Sequence, residues 1–162
     1  MGLDVVMCDS LSLCGEQDPW VFYTCGKNDH CLITVDKDFV HYFTHMAAIA
    51  LGKTRVFFFT SGTANMEERG KAFKKAKAKA LRIIKKQEAP FIASIGIDGS
   101  VKTVDRRPMP TRKQCTEAHW DSFVRVCRAE GVPIPQEAFS APGALRLKKY
   151  LSESESEKGT TE

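Results

Sequence analysis

Two carboxylates two residues apart, Asp36 and Asp38, follow the apolar run Cys31–Val35 (CLITV). Hard cations such as Mg2+ and Mn2+ take oxygen ligands and keep several waters, so carboxylates gathered in this way can hold one. A metal held there lowers the pKa of a bound water and neutralises charge on a phosphodiester under attack. Asp18 precedes a helix in the adjoining unit and could turn toward the same rim. The same residues have a plainer meaning, in which Asp36 caps the following helix and Asp38 is merely solvated. Spacing alone leaves both readings open.

Other residues carry weaker chemistry. His41 and His45 stand four apart on a predicted helix, a spacing that can share a metal. The residues between them lack the Glu of a metalloprotease helix, and no third ligand accompanies them. Ser61-Gly62-Thr63 follows a strand but lacks the glycines and the Lys of a phosphate loop. Lys71, Lys74, Lys75, Lys77, Lys79, Arg82, Lys85 and Lys86 line roughly 30 Å of predicted helix, at about 1.5 Å per residue. Such a surface binds phosphate backbones by counterion release, or is simply a solvated face. No aromatic residue is interleaved on it, so base stacking is not expected.

The elements that must position these groups follow from periodicity and punctuation. Leu3–Cys8 (LDVVMC) reads as a short strand. Asp18-Pro19 places a candidate N-cap before a first-turn proline, and the helix it opens ends near Gly26. Cys31–Val35 is a buried strand, and a helix from about Phe39 to Leu51 closes at Gly52. Arg55–Thr60 is the next strand, and Asn65 to Gln87 the clearest helix, with Phe73, Ala76, Ala80, Ile83, Ile84 and Gln87 on one stripe. Phe91–Ile97 and Val101–Val104 form a hairpin across Asp98-Gly99, and Thr116–Glu130 is a further amphipathic helix. Strands alternating with helices predict an α/β domain on a parallel sheet. Its polar site lies beyond the C-terminal ends of the strands, which puts Asp36 and Asp38 at the end of a central strand.

A chain of 162 residues is long enough to bury a core without disulfides. Its start lacks a basic region followed by an apolar one, and no apolar run is long enough to span a bilayer. A soluble, cytoplasmic protein without a membrane anchor is expected. The six cysteines include no Cys-x-x-Cys pair, which predicts reduced thiols, mostly buried. The net charge of +4 conceals a strong division: −5 over residues 1–40, +11 over 41–115 and −2 over the remainder. An acidic N-terminal third beside a basic middle suits a cation-assisted phosphodiester site. Residues 1–105 are expected to form the α/β domain, 106–150 a small helical extension, and 151–162 a disordered acidic tail.

The run CLITVDKDF resembles the strand-end motif of VapC-type PIN-like domains, in which Thr-x-Asp-x-Asp-Phe follows an apolar strand. GLDVV, GEQDPW, RVFFFTSG and the long helix before APFIASIGIDGSV resemble successive elements of that family, so the likeness runs from about Gly2 to Val104. It implies a PIN-like parallel sheet with helices on both faces. It implies a Mg2+- or Mn2+-dependent ribonuclease in which Asp36, Asp38 and Asp18 are catalytic, metal-holding carboxylates and Thr34 is a supporting hydroxyl. The expected partners are an RNA substrate, an antitoxin protein and a second copy of the chain, with Lys74, Lys75, Lys79 and Arg82 as contacts to nucleic acid or partner. The family begins with an Asp-bearing strand and a helix ahead of its GLDVV-like strand. Here Met1 directly precedes that strand, so the chain reads as an N-terminally shortened form. A second reading of the same residues is an inactive remnant of the fold that binds nucleic acid or protein through its basic helix.

Overall fold

The computed structural model describes residues 8–104 and 116–135. Four strands, β1 (Cys31–Thr34), β2 (Arg55–Phe59), β3 (Phe91–Ile95) and β4 (Val101–Thr103), lie side by side in chain order. The first three run parallel, and β4 returns antiparallel across the Asp98-Gly99 turn. Gly99 takes a φ of +84° there, and the Asp98 carboxylate accepts the Ser100 N–H at 2.9 Å. Asp98-Gly99 therefore makes the turn that its residue types predict.

Successive side chains of a strand point to opposite faces, and β2 shows the consequence. Val56 joins one core with Phe22, Phe39, Ile49, Ile92 and Phe123, while Phe57 and Phe59 join another with Ala72, Ala76, Ala80 and Ile95. Three helices cover the first face: α1 (Asp18–Lys27), α2 (Phe43–Gly52) and α4 (Glu117–Glu130). One helix, α3 (Met66–Lys86), covers the other. The alternation predicts an α/β domain on a parallel sheet, and the sheet is mainly parallel with helices on both faces. The helix expected in an extension, α4, lies in the same core as α1 and α2 through Trp120, Phe123, Val124, Val126 and Cys127. Ser122 accepts the Trp20 N–H at 3.0 Å, and Glu130 accepts the Tyr23 hydroxyl at 2.7 Å, which fixes α4 along α1.

Several details differ from expectation. Among the described residues β1 is an outer strand of the sheet, not a central one. The strand expected at Leu3–Cys8 falls outside the described residues except for Cys8, which lies in a turn. The helix expected from Phe39 to Leu51 is broken: Asp38–His41 is a 3-10 turn, Tyr42 is extended, and α2 starts at Phe43. The short turn lets Phe39 and Val40 bury in the core before the chain changes direction. Lys53, at φ +56°, takes the left-handed position that closes α2, and Gly52 serves another need. A Cβ on Gly52 would meet the Tyr23 carbonyl oxygen at 2.7 Å, and one on Gly26 would collide with the Gly52 carbonyl. The ends of α1 and α2 cross backbone to backbone at these two glycines.

Of the described cysteines, Cys25 and Cys127 are buried, Cys31 is half-buried, and Cys8 and Cys14 are exposed, fewer buried thiols than expected. Among the described residues no helix is long and apolar enough to cross a membrane. Residues 105–115 and 136–162, the acidic tail among them, lie outside the described residues.

Candidate metal centre

The first turns of three helices supply a compact group of ligands. Asp18 is the first residue of α1, His45 lies in the first turn of α2, and His119 in the first turn of α4. One ligand atom from each lies within 4.8 Å of the other two. Because α2 follows β1 in a parallel crossover, its N-terminus stands at the C-terminal rim of the strands, where an α/β sheet places its ligands.

Local structure explains why these groups converge. Asp18 was expected to cap α1, but Gln17 holds the cap position and Asp18 is already helical. Its carboxylate is thus not engaged in capping and stays half exposed. Thr116 caps α4 by accepting the His119 N–H at 3.3 Å, which sets His119 in the first turn. The extended Tyr42 separates His41 from α2, so the spacing of four does not put His41 and His45 on one helix. His45 faces Asp18 and His119 instead.

His45 is buried, at 1 % exposure, and neither of its ring nitrogens has a hydrogen-bond partner among the described residues. Its ring meets His119 edge to face at 4.6 Å between centroids, with Tyr42 at 4.8 Å and Phe22 at 5.7 Å. Burial, and secondarily the charge of His119, hold its imidazole at a pKa of about 3, so it is neutral at physiological pH. Burial raises the pKa of Asp18 as well; His119 opposes that rise and the nearby Asp36 carboxylate adds to it. The buried Nδ1 of His119 also lacks a partner.

Asp36 follows β1 in a tight turn. Its N–H donates to Thr34 Oγ1 at 3.1 Å, and its own Oδ1 accepts the Asp38 N–H at 2.7 Å. Thr34 thus holds the Asp36 backbone, and Asp36 orders the approach to the 3-10 turn through an Asx-type bond, while Lys37 holds the cap position and α2 begins later, at Phe43. Asp36 and Asp38 are exposed and outside the group formed by Asp18, His45 and His119. Asp36 is nonetheless close enough to Asp18 to act on its charge.

The donor set bears on the cation. Carboxylate oxygens suit Mg2+ and Mn2+, and within the group only Asp18 offers them. The paired imidazoles fit such a cation less well than a borderline metal. His119, in the helix that the sequence places in an extension, is not among the sequence-predicted ligands.

The basic residues lie elsewhere. Lys74, Lys75, Lys79 and Arg82 are exposed on α3, on the opposite face of the sheet from α1, α2 and α4. Asn65 caps that helix reciprocally with Glu68, at 2.9 and 2.8 Å. Lys71 pairs with Glu67 one turn back at 2.6 Å. No family model matches the chain, and no curated protein or solved structure does so.

Proposed function

We propose that the chain is a metal-dependent ribonuclease of the PIN-like type that its sequence resembles, acting at the rim formed by Asp18 and Asp36. The observation that carries this reading is a half-exposed, uncapping Asp18 beyond the C-terminal ends of parallel strands, with the Asp36 carboxylate near enough to raise its pKa further. A carboxylate made costlier to ionise by burial and by a second carboxylate beside it is relieved by a bound cation. A Mg2+ or Mn2+ ion there would supply an activated water and charge neutralisation at the phosphodiester. Asp18 and Asp36 would hold it, Thr34 would keep Asp36 in its turn, and Asp38 would position water beside it. The exposed cations of α3 would gather RNA to the protein, or dock an antitoxin or a second copy. Incubation with a single-stranded RNA should give cleavage with Mn2+ or Mg2+ and none with chelator. Cleavage that is indifferent to chelator would refute the reading.

The second reading, an inactive PIN-like module, draws on a different observation. The exposed Lys and Arg residues of α3 stand on the other face of the sheet from the Asp18 group and need no catalysis to bind nucleic acid. RNA binding that persists without any cleavage would select it.

A further inference from the structure

We propose that Asp18, His45 and His119 form a binding site for one borderline divalent transition metal of the Zn2+ class. The inference goes beyond the ribonuclease reading and does not depend on it, although Asp18 belongs to both. Two imidazoles and one carboxylate are the ligand types that such metals take, and three protein ligands leave a position for water or a substrate oxygen.

Three observations converge on the site. Ligand atoms around a tetrahedral Zn2+ stand about 3.3 Å apart, given bonds of roughly 2.0–2.1 Å. His45 Nε2 is 4.0 Å from Asp18 Oδ2, so a small movement of the half-exposed, uncapping Asp18 completes that edge. Next, His45 is buried with both nitrogens unpartnered, an arrangement that costs stability unless something accepts its lone pair. Finally, Phe22 and Tyr42 pack on the His45 ring while Asp18 opens to solvent, which provides a dry wall on one side and an entry path on the other. Three helix N-termini meet here; their partial positive charge opposes a bare dication, an effect the Asp18 carboxylate offsets, and favours an anionic group in the remaining position.

The test uses the full chain stripped of metal by chelation, titrated calorimetrically with Zn2+ and, separately, Mg2+, and spectroscopically with Co2+. One equivalent of Zn2+ should bind, Co2+ should develop the visible absorption of a low-coordinate site, and Mg2+ should bind far more weakly. Asp18→Asn and His119→Ala should each weaken Zn2+ binding by at least about tenfold. Those two variants carry the test should His45→Phe fail to fold. Absence of Zn2+ binding, unchanged affinity in His119→Ala, or Mg2+ binding equal to Zn2+ would overturn the inference. Zn2+ binding with no RNA cleavage would retain this site and remove the ribonuclease reading. Cleavage with Mg2+ that ignores His119→Ala, without Zn2+ binding, would do the reverse.

Discussion

His45 Nε2 stands 4.0 Å from Asp18 Oδ2, so the first turn of α2 meets the first residue of α1 through an imidazole and a carboxylate. The pair is asymmetric: the imidazole is sealed at 1 % exposure, while 51 % of the carboxylate side chain is open to water. The buried member keeps its neutral form, and the open member can take the charge.

That asymmetry predicts a pH dependence of stability in metal-free protein. Burial lowers the His45 pKa from 6.5 to about 3, so between those values the unfolded chain binds a proton that the folded one does not. The stability associated with neutral His45 is full above pH 6.5 and falls as pH drops toward about 3, by ~1.4 kcal/mol per unit. Urea denaturation at pH 7 and pH 5 should show native protein losing about 2 kcal/mol more than His45→Phe. Equal losses in the two proteins would exclude His45 as the source.

At the other end of the same helices, Gly52 and Gly26 allow the backbones to touch. Gly52→Ala would place its Cβ 2.7 Å from the Tyr23 carbonyl oxygen and should destabilise by about 1–3 kcal/mol. Gly70, within α3, has nothing within 4 Å of its Cβ position, so Gly70→Ala should stabilise by about 0.5–1 kcal/mol. Urea midpoints check both, and a shift of the same sign in the two variants would contradict this account of the α1–α2 crossing.

The exposed cations of α3 predict weak, sequence-independent RNA binding whose log affinity falls with log salt. Replacing Lys74, Lys75 and Lys79 with Gln should reduce that slope by about 2, at roughly 0.7 per contact with a single strand. Fluorescence anisotropy across a salt series measures it. An unchanged slope would leave α3 a solvated face.

Much of the fold was legible because its signals are local. RVFFF is a strand with two buried faces, Asp98-Gly99 is a turn, and the Phe73, Ala76, Ala80, Ile83 and Ile84 stripe has a helical period. The break at Tyr42 was not legible, since one extended residue leaves the apolar pattern from Phe39 to Leu51 almost unchanged. The site was half legible. Asp18 and Asp36 stand beside elements that chain order places at one rim, whereas His119 reaches it only through the packing of Trp120, Phe123 and Val124. The one local signal for His119 was Thr116, a good capping residue three positions before it. The spacing of four pairs His45 with His41 on a shared helix, and the 3-10 turn removes His41 from it.

The most direct measurement of the central claim is the single-turnover rate of RNA cleavage with Mn2+ for native protein, Asp18→Asn and Asp36→Asn. Each substitution keeps side-chain shape and removes one carboxylate charge from the proposed site, so each should lower the rate by about 100-fold or more while the urea midpoint stays near native. Cleavage at the native rate by either folded variant would contradict the assignment of this rim as the catalytic site.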